Sequence, residues 1–100
     1  MLKIKQDSKY KSEDWWTWWA WIDGEKEELD AVQSVTWILH STFKDPVKVI
    51  DDRKSKFKLE TAGWGIFNLK AKVKFKDSRE DLKLSKEIEL YYPDGTKNLD

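Results

Sequence analysis

His40 is the single histidine of this 100-residue chain, and its chemistry would be a proton transfer or a hydrogen bond. Catalysis would need a nucleophile or a second titratable group at a fixed spacing. No Ser-His-Asp arrangement and no glycine-rich phosphate loop accompanies it. A lone histidine at the end of a strand is more often a structural hydrogen-bonding residue than a catalyst. The carboxylate pairs Glu27-Glu28 and Asp51-Asp52 fall in polar segments, where they are solvated charge rather than an acid–base couple. The chain has no cysteine, which excludes thiol nucleophiles, disulfides and Cys-ligated metal sites. With one histidine, multi-His metal sites are excluded as well. The residues give an enzyme little to work with, and neither metal nor cofactor is expected.

The aromatic residues carry more information. Seven tryptophans in 100 residues, beside 38% charged residues, describe a few large rings set in a charged surface. Such a composition suits a small β-domain better than a helical bundle. Trp15, Trp16, Trp18, Trp19 and Trp21 form one cluster. Most of these rings are expected in the core, although tryptophan on both faces of a strand also suits a platform for a sugar or a modified side chain. Two further segments, Leu39-His40-Ser41-Thr42-Phe43 and Gly63-Trp64-Gly65-Ile66-Phe67, each flank a strand, so each belongs to an end of the fold, where loops gather and sites form. The glycines beside Trp64 would let a ligand approach its amide closely. The plainer reading is a bulge with a buried tryptophan.

The elements that must position these residues follow from period two. From Phe67 to Lys76, Phe67, Leu69, Ala71, Val73 and Phe75 alternate with Asn68, Lys70, Lys72, Lys74 and Lys76. This predicts a half-buried strand with its lysines in water. Leu82, Leu84, Ile88, Leu90 and Tyr92 share a face interrupted by Lys86, and Pro93-Asp94-Gly95 ends that run. Val35, Trp37 and Leu39 alternate with Ser34, Thr36, Ile38 and His40. Trp15 to Ile22 reads as a strand covered on both faces, with shorter strands over Val47–Ile50 and Phe57–Glu60. Glu25 to Asp30 has room for one helical turn. Residues 1–12 and the last five or so are polar and expected to be loose. Strands separated by such turn signals predict an all-β, antiparallel sandwich in a single domain.

Nineteen Lys+Arg balance nineteen Asp+Glu. That balance argues against direct nucleic-acid binding and against an anionic membrane as partner. No signal peptide and no apolar run approaching a membrane span is visible, so the expected location is cytoplasmic.

Val32-x-x-Val35-x-Trp37-x-Leu39-His40-x-Thr42-Phe43-x-x-Pro46, followed by Phe57-x-Leu59 and Gly63-Trp64-Gly65-x-Phe67, resembles the YEATS domain. The closer resemblance is to its prokaryotic branch, pYEATS. The opening Trp15-Trp16-Thr17-Trp18-Trp19, the stretch Leu29 to Val35, the Asp52-Arg53 pair and the closing Leu90-Tyr91-Tyr92-Pro93-Asp94-Gly95 resemble that branch too. The likeness runs over roughly residues 15 to 95, with the domain set at 13–96. What it implies is an immunoglobulin-like β-sandwich that reads acylated lysine, a non-enzymatic module whose partner is an acylated protein or peptide. By the same resemblance, Phe43 and Trp64 would sandwich the acyl-amide. Thr42 would offer its hydroxyl to the ligand amide, with His40 orienting it. The Trp64 backbone N–H would bond the acyl carbonyl, Gly63 and Gly65 would permit that approach, and Phe67 would close the floor. Two other readings stand beside this one: a protein–protein adaptor whose pocket is packed shut, and a carbohydrate-binding sandwich using the Trp15–Trp21 strand.

Overall fold

The structure, a computed structural model, describes residues 1–99. Seven strands and one helical turn follow in the order β1 (Lys3–Ser12), β2 (Trp15–Asp23), α1 (Lys26–Asp30), β3 (Val32–Ile38), β4 (Val47–Ile50), β5 (Leu59–Gly63), β6 (Asn68–Phe75) and β7 (Leu82–Glu87). They form two antiparallel sheets, β1-β2-β5 and β4-β3-β6-β7. The lysine-bearing strand behaves as its alternation predicts. In β6, Leu69, Ala71, Val73 and Phe75 are buried while Lys70, Lys72 and Lys74 are exposed.

The core lies between the inner faces of the two sheets. Trp16, Trp18, Ala20 and Ile22 of β2 meet Val35 and Trp37 of β3 and the apolar face of β6, all buried. The expectation that β2 is covered on both faces is corrected here. Its other face carries Trp15, Thr17, Trp19 and Trp21, of which Trp15 is exposed and the rest half-buried. Only one sheet face of a two-layer sandwich packs inward, so alternation sorts the tryptophans despite their shared hydrophobicity.

Both termini depart from expectation. Lys3–Ser12 is not loose: it is the longest strand, paired along its length with β2. Its inward positions include Gln6 and Ser8, so no apolar alternation announces it. Gln6 replaces apolar contact with hydrogen bonds, its Nε2 donating to the Glu89 carbonyl (2.9 Å) and its Oε1 accepting from the Glu89 N–H (2.8 Å). A two-residue turn at Glu13 and Asp14, both at positive φ (50° and 58°), joins β1 to β2. This is the conformation whose twist suits a hairpin. Asp14 is held there by the Tyr10 and Tyr92 hydroxyls.

The C-terminal stretch is likewise ordered as far as Asn98, while Asp100, also in the tail expected to be loose, lies outside the described residues. Tyr91 bridges to Lys97, the Asn98 N–H donates to the Leu90 carbonyl at 2.8 Å, and Asn98 is 5% exposed. The turn at Pro93-Asp94-Gly95 forms as expected, with Gly95 supplying φ +89°. The strand read at Phe57–Glu60 instead begins at Leu59, because Lys56 and Phe57 both take φ of 59°. That left-handed pair turns the Phe57 carbonyl onto Trp37 Nε1 (2.9 Å) while Phe57 itself is buried.

Strand polarity decides where function can sit. β2 starts, β3 ends, β4 starts, β5 ends, β6 starts and β7 ends at one end of the sandwich, as the registers Trp16–Gly63, Ile38–Val47, Ile38–Lys70 and Asn68–Glu87 show. The β3–β4 loop, the β5–β6 loop and the segment after β7 therefore converge there.

Candidate functional site

The β3–β4 loop is closed by the Leu39 N–H donating to the Pro46 carbonyl at 2.7 Å. Inside it, the Phe43 N–H donates to the His40 carbonyl (3.0 Å), a tight turn that brings Thr42 back over the imidazole. His40 Nδ1 accepts the Thr42 backbone N–H at 3.2 Å and lies 2.9 Å from Thr42 Oγ1. A nitrogen that accepts from an amide carries no proton, so this geometry calls for the Nε2–H tautomer. The Thr42 hydroxyl can then donate to Nδ1 and keep its lone pairs for another donor.

Across the opening, β5 ends at Gly63 and the chain crosses to the second sheet through Trp64, Gly65, Ile66 and Phe67. Trp64 is 63% exposed, which overturns the reading of a bulge with a buried ring. Its carbonyl is fixed by Asn98 Nδ2 at 2.8 Å, and no described protein acceptor takes its N–H. The base of the opening is aromatic. Phe67 packs tilted against Phe43 (centroids 5.5 Å) and edge-on against His40 (6.2 Å) and Trp18 (5.7 Å).

Between the loops lies an open cavity of about 470 Å³, within the size range of small-ligand sites. All seven residues singled out from the sequence line it: His40, Thr42, Phe43, Gly63, Trp64, Gly65 and Phe67. Trp15, Lys44, Ala62 and Ile66 line it as well. Lys44 is the one formally charged side chain among them, and no carboxylate lines the space among the described residues. Among the described residues no group of three or more His, Cys, Asp or Glu could hold a metal ion.

Two contributors escape sequence reasoning. Trp15 belongs to the cluster read chiefly as core, yet as the first residue of β2 it stands beside the β5 terminus through the Trp16–Gly63 pairing. A register of β2 on β5 would have revealed it. Asn98 falls in a tail expected to be loose, and nothing local marks it. Nearby, the Tyr91 hydroxyl donates to Glu89 Oε2 at 2.5 Å. That bond, reinforced by Lys97, holds the Glu89 carboxyl below its ordinary range and raises the Tyr91 phenol.

The fold is a small antiparallel sandwich with an aromatic slot between its end loops, lined by no carboxylate among the described residues. The prokaryotic YEATS domain model matches residues 16–89, and the chain belongs to that family. Solved structures with the same fold include the yeast AF-9 homolog protein Yaf9, at 22% identity and a TM-score of 0.71, covering 91% of this chain and 66% of that one. The Yaf9 YEATS domain bound to H3K27ac (22% identity, TM-score 0.68, 97% of this chain and 73% of that one) and the same domain recognizing an H3K122suc peptide (22%, 0.65, 97% and 72%) share it as well. The fold is accordingly the immunoglobulin-like sandwich of these domains. Transcription initiation factor TFIID subunit 14 of Schizosaccharomyces pombe is 30% identical over 76 residues, or 74% of this chain. The chain spans about a third of that protein, 31% of its length. No helix among the described residues is long and apolar enough to cross a membrane.

Proposed function

We propose that this domain is a non-enzymatic reader of acylated lysine, with acetyl- or crotonyl-lysine on a protein or peptide entering the end-on slot. The observation that carries this reading is the chemistry of the slot wall: aromatic on several sides and, among the described residues, without a carboxylate and with Lys44 as its one charge. A free lysine ammonium entering there would lose water, gain no counter-ion among the described residues and meet a like charge, although ring faces partly compensate a cation. Acylation replaces the ammonium with a flat, neutral amide that stacks between rings and offers one donor and one acceptor. Thr42 Oγ1, its own proton directed to His40, suits the amide N–H. The unengaged Trp64 N–H suits the acyl carbonyl. Phe43 and Trp64 serve as the stacking faces, Phe67 as the floor, and Gly63 and Gly65 as low walls beside the amide.

Two stacking contacts and two hydrogen bonds contribute about 0.5–1.5 kcal/mol each. After the cost of immobilising a peptide, affinity falls in roughly the micromolar to millimolar range. The likeness to domains bound to acetylated and succinylated peptides supports the ligand class. The exposure of Trp64 and the open space beside Phe43 speak against a slot packed shut around an adaptor role. On the outer face of β2, no two tryptophan rings stack on each other among the described residues, and Lys58 lies over Trp19. That arrangement gives a sugar platform little support.

The test is a two-dimensional NMR titration with acetyl-lysine, crotonyl-lysine and unmodified lysine peptides. Saturable shifts at Thr42, Phe43 and Trp64 with the acylated peptides alone are expected. Absence of shifts at millimolar peptide would overturn the proposal.

A further inference from the structure

Three tryptophans are wholly buried in the core, and each brings one indole N–H that can only donate. Trp16 Nε1 gives its proton to the Tyr91 carbonyl at 2.8 Å and Trp37 Nε1 to the Phe57 carbonyl at 2.9 Å. Trp18 Nε1, equally buried, has no acceptor among the described residues. Buried donors are nearly always paired, and two neighbours in the same core show that this fold can supply a carbonyl. The exception therefore invites a ligand.

Its position is informative. Trp18 packs edge-on against Phe67, the aromatic floor of the slot. A side chain begun at Gly63 would meet Phe43 Cζ at 3.7 Å and Trp18 Nε1 at 3.8 Å, and nothing closer. Gly63 and Phe43 both line the slot. The indole nitrogen is thus set behind a residue with no side chain, on the side of Gly63 that faces Phe43.

Resting on the acyl-lysine reading above, we infer that Trp18 Nε1–H is a specificity-determining donor for the far end of the acyl group. The slot then prefers acyl chains carrying a neutral acceptor oxygen to hydrocarbon chains of equal length. A site holding an unpaired donor discriminates against ligands that leave it unpaired. Thr42 and Trp64 remain the partners of the amide, and Trp18 reads what lies beyond it.

The test compares peptides bearing butyryl-lysine and 3-hydroxybutyryl-lysine. Both have four-carbon chains and both are neutral, so Lys44 affects them alike. The hydroxylated peptide is expected to bind roughly two- to tenfold tighter, the worth of one net hydrogen bond. With wild-type protein, the Trp18 indole ¹H–¹⁵N resonance should move downfield with this peptide and stay in place with butyryl. Trp18→Phe should level the two affinities. Gly63→Ala, whose methyl group meets only ordinary contacts, should level them by obstructing the approach, so the test does not depend on a core variant folding. Equal or tighter binding of butyryl-lysine, or a preference without a Trp18 indole shift, would overturn the assignment while leaving the acyl-lysine reading intact. Failure of every acylated peptide to bind would remove both.

Discussion

Trp37 and Trp64 show how one residue type serves two ends of an energy scale in the same small domain. Trp37 is wholly buried on the inner face of β3, with its indole N–H on the Phe57 carbonyl. Trp64 is 63% exposed on a loop held from behind by Asn98. The first ring loses all its water on folding and stabilises the sandwich. The second keeps most of its water until something covers it, so its contribution is available for binding. The difference comes from position in the strand ladder. Trp37 lies within β3, one residue before its end, and is flanked by paired strands on both sides, at Lys48 and Ala71. Trp64 follows the last residue of β5, where the chain leaves one sheet for the other.

The largest expected effect tests the core half of this contrast. Trp37→Ala should destabilise the domain by about 3–5 kcal/mol through the cavity and the unpaired Phe57 carbonyl, measured by chemical denaturation. A loss under about 1 kcal/mol would mean that the core relaxes around the gap. Trp64→Ala tests the other half. Stability should change by less than about 1 kcal/mol, while acyl-lysine affinity falls by about 30-fold or more, as for a central aromatic anchor. If this variant unfolds, Trp64 belongs with Trp37 and the comparison fails.

Asn98→Ala probes the link between the two regions. It removes the donor that fixes the Trp64 carbonyl and empties a buried polar site, costing about 1–2 kcal/mol of stability. Acyl-lysine binding should weaken several-fold without loss of the fold, read by titration of a thermally intact variant. Unchanged binding would show that the Trp64 loop is held by its own packing.

How far the sequence reveals this molecule depends on whether a residue's partner is close in sequence. The β6 ladder is legible because Leu69, Ala71, Val73 and Phe75 repeat without interruption. β1 is not legible, because Gln6 and Ser8 stand at its inner positions and the partner of Gln6 is Glu89, 83 residues away. The early end of the predicted Phe57 strand is lost to the left-handed backbone at Lys56 and Phe57, which neither residue type suggests. At the site, His40, Thr42 and Phe43 announce themselves as one short loop, and Gly63 to Phe67 as another. That the two loops face each other follows from strand polarity, which alternation alone leaves open. Trp15 and Asn98 reach the site through pairing and tail docking, both long-range.

Acidification should produce a smaller effect. Glu89 is held ionised by the Tyr91 hydroxyl and by Lys97. Its carboxyl titrates lower in the folded chain than in the unfolded one. The stability it contributes is therefore present above the ordinary carboxylate range and lost as pH falls through its depressed folded value. Amide protection in the segment around Tyr91, taken relative to the intrinsic exchange rate at each pH, should fall on acidification below that ordinary range, ahead of protection in β6. Uniform protection across the transition would show that Glu89 adds nothing to the docking of this segment.

The smallest expected effect lies on the sheet face opposite the core. Lys72 is directly across from Lys83 in the β6–β7 register and 3.6 Å from Asp81 Oδ2. Lys72→Ala removes an unfavourable pair of like charges and a half-exposed ion pair together. Each is worth only a few tenths of a kcal/mol in water, and the two have opposite signs. Stability should shift by less than about 0.5 kcal/mol and acyl-lysine affinity not at all, because Lys72 does not line the slot. A measurable loss of peptide binding would extend the recognition surface from the loop end onto the lysine face. Binding would then no longer be confined to the exposed aromatic end that separates Trp64 from Trp37.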